Sequence, residues 1–110
     1  MIDWEQVEHL RQDIGDDTVD EVIELFFHET QQVIDRVKAR QGSPTLGDDL
    51  HFLKGSALNI GFRSFADLCA THEKAARAGA LSWEELQTVF ECYDSSRAVF
   101  MDRIEGRDAG

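Results

Sequence analysis

His51, Lys54 and Gly55 fall within about one helical turn of each other in the stretch LHFLKGSALNIGF, residues 50–62. An imidazole is both neutral and nucleophilic near physiological pH, so it can take up and give away a group. If the stretch is helical, a lysine three residues on lies on the neighbouring ridge. Its ammonium there offsets the charge of an anion carried on the ring. Gly55 weakens a helix by about 1 kcal/mol relative to Ala, but it also removes a side chain that would crowd the imidazole. A nucleophile, a cation and a cleared approach are what a group passed between two proteins needs.

The chemistry depends on which way His51 points, and that depends on the helix carrying it. At about 100° per residue, Leu46, Leu50, Leu53, Ala57 and Ile60 cluster in a sector of about 80°, the core face. His51 lies about 130° from the centre of that sector, with Gly55 and Leu58 on the same outer side and Lys54 at its flank. The histidine is therefore expected on the outer surface. Leu58 then adds apolar contact area beside it. Ser56 is a small residue close by whose hydroxyl can bond an anion.

Five helical segments are expected, roughly 3–13, 18–40, 44–60, 64–78 and 82–105. Asp3 can cap the first, with Ile2 and Val7 as a hydrophobic staple. Thr18-Val-Asp-Glu21 reads as a capping box for the second. That helix carries Val19, Val22, Ile23, Phe26, Val33, Ile34 and Val37 three and four apart, and it stops at Gly42. Ser43-Pro44 opens the third, with proline at the first helical position. The fourth starts at Ser64 and places Phe65, Leu68, Cys69, His72, Ala75 and Ala76 on one face before Gly79 ends it. Ser82-Trp-Glu-Glu85 is a second capping box, stapled by Leu81 and Leu86. The fifth helix shows Leu86, Val89, Phe90, Tyr93, Arg97, Phe100 and Ile104. Long amphipathic helices with short connections predict an all-α fold: an antiparallel up-down four-helix bundle with a short extra N-terminal helix over one end, spanning 1–110 as a single domain.

Composition narrows the partners. The chain has 110 residues, 42% of them hydrophobic, and a formal net charge of −11. That charge argues against nucleic acid or an anionic membrane as a partner. No apolar run approaches the ~20 residues of a membrane span. The opening MIDWEQ has neither a basic nor an apolar signal region, so a cytoplasmic location is expected. Cys69 and Cys92 sit singly in helical patterns and read as reduced, packed thiols. His72 falls on an apolar face as a semi-buried histidine, and His9 and His28 belong to the surface.

His51-Phe52-Leu53-Lys54-Gly55-Ser56-Ala57, followed by Asn59-Ile60-Gly61, resembles the signature of histidine-containing phosphotransfer domains of two-component phosphorelays. The family pattern is His, two residues, Lys-Gly, two small residues, then Asn or Ser, an aliphatic and Gly. FADLCATHEKAARAG, which follows, looks like the family's next helix. The resemblance implies that His51 exchanges a phosphoryl group with the aspartate of a response-regulator receiver domain, supplied from a receiver or a hybrid histidine kinase. It implies that the acid cluster and Mg²⁺ belong to the receiver, so this chain needs no cofactor of its own. No Gly-rich phosphate loop or ATP lid is present, so the chain is not expected to be a kinase itself; the resemblance implies a phosphoryl carrier rather than an enzyme. At this length it is expected to act alone, as a monomer. Leu58 and Phe62 are the expected partner-binding residues.

Geometry adds one supporting residue. If the third and fourth helices form an antiparallel hairpin turning near Phe62, His51 and Glu73 are equidistant from the turn and share a level. A carboxylate there can accept the Nδ1–H bond, fix the tautomer and leave Nε2 free. The family often carries Glu or Gln at this position. Two other classes compete. A di-metal bundle needs Glu-x-x-His pairs, and only Asp48–His51 has ligands at that spacing, so no metal is expected. A docking module would bind receivers without transfer, and its binding would survive loss of the imidazole.

Overall fold

The structure, a computed structural model, describes residues 1–39 and 44–109. Among them are five helices and no strand: α1 (Trp4–Ile14), α2 (Asp16–Ala39), α3 (Leu46–Asn59), α4 (Arg63–Arg77) and α5 (Trp83–Ala109). The expected stop at Gly42 and start at Ser43 lie outside the described residues.

Three helix starts differ from expectation, the smallest difference being α4, which begins at Arg63 with Phe62 as N-cap residue, so Ser64 lies inside the helix. α2 begins at Asp16, so Thr18 lies inside the helix and caps nothing. Gly15, at φ 86°, is the sole link between α1 and α2. Its N–H closes α1 on the Arg11 carbonyl at 2.8 Å, and its own carbonyl accepts from Val19 N–H at 2.9 Å. Asp16 and Asp17 then occupy the first turn, where acidic side chains suit the positive end of the helix dipole. α3 begins at Leu46 rather than Pro44, with Thr45 as N-cap residue and its carbonyl accepting from Asp49 N–H at 2.9 Å. The caps of α1 and α5 form as read. Asp3 Oδ1 accepts from Gln6 N–H at 3.3 Å. Ser82 and Glu85 satisfy each other's backbone N–H groups at 3.1 and 3.3 Å.

The core follows the predicted faces. Leu50, Leu53, Ala57 and Ile60 of the α3 stretch are buried against Phe65, Ala66 and Cys69 of α4 and Val89, Tyr93 and Phe100 of α5, with Ile23, Phe26, Val33, Ile34 and Val37 from α2. Arg97 departs from its expected face. It is exposed, and its guanidinium lies 5.1 Å over the Phe27 ring.

Phe62 is a correction with a clear cause. It has no exposed surface and sits in an aromatic cluster, 5.1 Å from Phe26, 5.5 Å from Phe100 and 6.4 Å from Tyr93 between ring centroids. It cannot meet a partner. α3 ends in a Schellman turn: Phe62 N–H bonds the Ala57 carbonyl at 2.9 Å and Gly61 N–H bonds Leu58 at 3.4 Å. In that turn the residue after the left-handed glycine folds back onto the helix, and here that residue is Phe62. Gly61 has φ 82°, and a Cβ on it would stand 2.5 Å from the Asp3 carbonyl oxygen. The close approach lets α1 cover this end. Asp3 N–H bonds the Gly61 carbonyl at 2.7 Å, Ser64 N–H bonds Met1 at 3.2 Å, and Trp4 stacks on Phe100 at 5.5 Å.

Candidate functional site

α3 packs more extensively on α4 than on any other helix, and the pair turns at Ile60–Phe62. That register sets the site. Its buried ridge, Leu50, Leu53 and Ala57, fixes α3 in rotation, so the residues opposite that ridge must face outward.

His51 is 62% exposed, and its Nδ1 lies 3.2 Å from Glu73 Oε1 on α4. The equal spacing from the turn therefore brings these two side chains together. Glu73 is only 16% exposed. Burial pushes its carboxyl up, but the hydrogen bonds from Arg77 and His51 outweigh that and hold it below the usual carboxylate range. An ionised carboxylate only accepts. The hydrogen bond therefore places the proton on Nδ1, and in the neutral ring the lone pair is left on Nε2.

Glu73's other oxygen is also occupied. Arg77 Nε donates to Oε2 at 3.1 Å, and Arg77 Nη1 donates to Asp48 Oδ1 at 3.0 Å. A continuous chain results, Asp48–Arg77–Glu73–His51, crossing from α3 to α4 and back. Bonds to Asp48 and then Glu73 raise the Arg77 guanidinium above its ordinary value. Asp48 is thus engaged by an arginine rather than standing beside His51 as a second ligand. Among the described residues no three His, Cys, Asp or Glu side chains converge on a point that could hold a metal ion.

Gly55 lies on the outer side, and a Cβ built there meets nothing within 4 Å. It makes no close helix contact, so helix packing does not require a glycine at this position. Lys54 is half-buried at the flank of the ridge, and no carboxylate among the described residues pairs with it. Ser56 is half-buried. Leu58 is 49% exposed, as expected, and Phe52, which the sequence reading passed over, is 44% exposed next to His51. The other histidines stand apart: His9 and His28 are exposed, and half-buried His72 has Nε2 3.4 Å from Thr88 Oγ1. Cys69 and Cys92 are free thiols.

Arg77 and Gly47 were missed entirely. Glu73 and Arg77 sit at the i, i+4 spacing of a helical ion pair, and that was the available signal. A glycine in the first turn of α3 was another.

An exposed imidazole with one nitrogen occupied by a half-buried carboxylate and the other open, on a ridge cleared by a glycine, suits a nucleophile approached by a second macromolecule. A family model described as Hpt domain matches residues 21–99, well over half the chain, and includes every residue of this site. No curated protein and no solved structure matches the chain. The chain belongs to the Hpt domain family, the histidine phosphotransfer modules of two-component phosphorelays.

Proposed function

We propose that this protein is a stand-alone phosphorelay intermediate and that His51 is its phosphoryl carrier. One observation carries the assignment of the atom: Nδ1 is engaged by Glu73 while the ring is 62% exposed, so Nε2 is the nitrogen free to react. The Nε2 lone pair attacks the phosphorus of a receiver's aspartyl phosphate. A P–N bond forms, the P–O bond to the aspartyl carbonyl breaks, and the aspartate leaves as a carboxylate. The ring becomes a phosphoimidazolium whose Nδ1–H still points at Glu73. Transfer onward is the same step reversed onto a second receiver's aspartate. Lys54 offsets negative charge on the phosphoryl group in both directions, and Ser56 lies near enough in sequence to add a hydroxyl. Gly55 leaves room for the receiver surface, with Leu58 and Phe52 as apolar contacts at the rim. The receiver contributes its own acidic residues and Mg²⁺. This chain contributes the nucleophile and binds no cofactor in the exchange.

The test is incubation of the protein with a set of phosphorylated receiver domains. The label is expected to move to the protein, to be lost in acid and kept in alkali as for a phosphoramidate, and to be absent in His51→Gln. Receiver binding without label transfer would identify a docking module instead.

A further inference from the structure

The carboxylate of Glu73 ends a side chain with three rotatable bonds, yet it must meet the imidazole edge-on to hold one tautomer. Free histidine side chains favour the opposite tautomer, with the proton on Nε2, which blocks the reacting atom. Something must therefore fix Glu73. Its second oxygen receives Arg77 Nε at 3.1 Å, and Arg77 is in turn anchored to Asp48 at 3.0 Å. The planar guanidinium offers donors in a rigid fork, so serving both carboxylates also sets the plane of each. Reaching Asp48 takes the Arg77 side chain directly across Gly47. A Cβ on Gly47 would stand 2.6 Å from Arg77 Cγ and 3.3 Å from Nη1. Gly47 is buried beneath that side chain, so its hydrogen is what leaves room for the crossing.

We propose that Arg77 is a positioning residue for phosphoryl transfer: seated over Gly47 and tied to Asp48, it locks Glu73 so that His51 keeps its proton on Nδ1 and presents Nε2. This rests on the carrier reading of His51. Arg77 touches neither the ring nor the reacting atoms, and its effect passes through Glu73. The two glycines of α3 then have separate tasks. Gly55 clears the space in front of the ring, and Gly47 clears the path of the brace behind it.

The test uses the intact protein and two variants, Arg77→Ala and Gly47→Ala. Ring nitrogen NMR at a pH above imidazole titration gives the ratio of Nδ1–H to Nε2–H forms of His51. Phosphoramidate, which gives its phosphoryl group to Nε2 and releases ammonia, gives the uptake rate without a docking partner. Both variants are expected to lower the tautomer ratio about fivefold, the worth of one hydrogen bond, and to slow uptake about tenfold. Gly47→Ala is also expected to stay folded, because the helix propensity gained with Ala stands against a displacement that falls on the half-exposed Arg77 side chain. A purely structural glycine would not combine a retained fold with a shifted tautomer. An unchanged ratio in Arg77→Ala, or in folded Gly47→Ala, overturns the proposal. If the parent takes up no phosphoryl group at all, the carrier reading falls, while the tautomer ratios still support or overturn the role of Arg77.

Discussion

Leu50 on α3 has no exposed surface, whereas His51, the next residue, keeps 62% of its side chain in solvent. The inward side of the α3–α4 pair is close-packed and apolar, built around Phe62, Phe65 and Tyr93. The outward side carries a hydrogen-bonded chain of charged and polar side chains beside exposed Phe52 and Leu58, with Gly55 among them. A methyl group added at Gly55 would meet nothing within 4 Å, and one added at Gly61, six residues on, would strike the Asp3 backbone. The inward residues fix the rotation and register of α3 and α4, and the outward ones inherit their alignment from that. Stability and transfer should therefore respond to different residues on the same helix.

The largest effect is expected inside. Phe62→Ala leaves a cavity among four aromatic rings, those of Phe26, Phe27, Tyr93 and Phe100, and should cost about 3–5 kcal/mol, lowering the melting temperature by more than about 10 °C. Molecules that remain folded should transfer at the parental rate, because Phe62 never reaches the surface. A slowed rate at full stability would restore Phe62 as a partner contact.

Gly55→Gln inverts that pattern. Its side chain projects into open space, so the melt should stay at or slightly above the parental value. In the complex it stands against the receiver, and displacing the reacting atoms by ~1 Å can slow transfer ~100-fold. A thermal melt and a transfer rate measured on one preparation check both halves.

Lys54→Ala is a milder form of the same comparison. Stability should change by no more than about 0.5 kcal/mol, while transfer slows about tenfold as the offsetting cation is lost. Equal rates in variant and parent would reduce Lys54 to a solvated surface charge.

The two sides should also part company with pH. Burial pushes the Cys69 thiol from 9.0 up to about 12 and the Tyr93 hydroxyl from 10.0 up to about 12. For groups raised in the fold, the stabilisation is complete below the unfolded values and is lost as pH rises toward the folded ones. Denaturant melts should weaken from about pH 9 upward. Glu73 has the opposite sign: its carboxyl is depressed, so its contribution is present above the unfolded value of 4.5 and fades as pH falls. Alkylation in native buffer should spare Cys69.

The sequence showed one of these sides more fully than the other. The spacing of Leu50, Leu53 and Ala57 gives the inward face, and hence the exposure of His51, by rotation alone. Equal distance from the turn gives Glu73. These inferences hold because a regular helix repeats one geometry. Phe62 was misread because the α3 periodicity stops before Gly61, where the chain reverses, and says nothing of which way the next side chain turns. The Asn-Ile-Gly-Phe pattern, with an aromatic just after a helix-ending glycine, signals the inward turn. The start of α2 was misread at Thr18 because a local capping pattern cannot report that Gly15 alone joins two helices. Asp48, Arg77 and Gly47 were the least legible. Their arrangement depends on a long side chain lying across another helix, which no single-helix pattern encodes.

The account stands or falls on one atom. Phosphorus-31 and ring-nitrogen NMR of the protein phosphorylated by a receiver should show a single phosphoryl group on Nε2 of His51, with the proton retained on Nδ1. A phosphoryl group on Nδ1, or on any other residue, would contradict it.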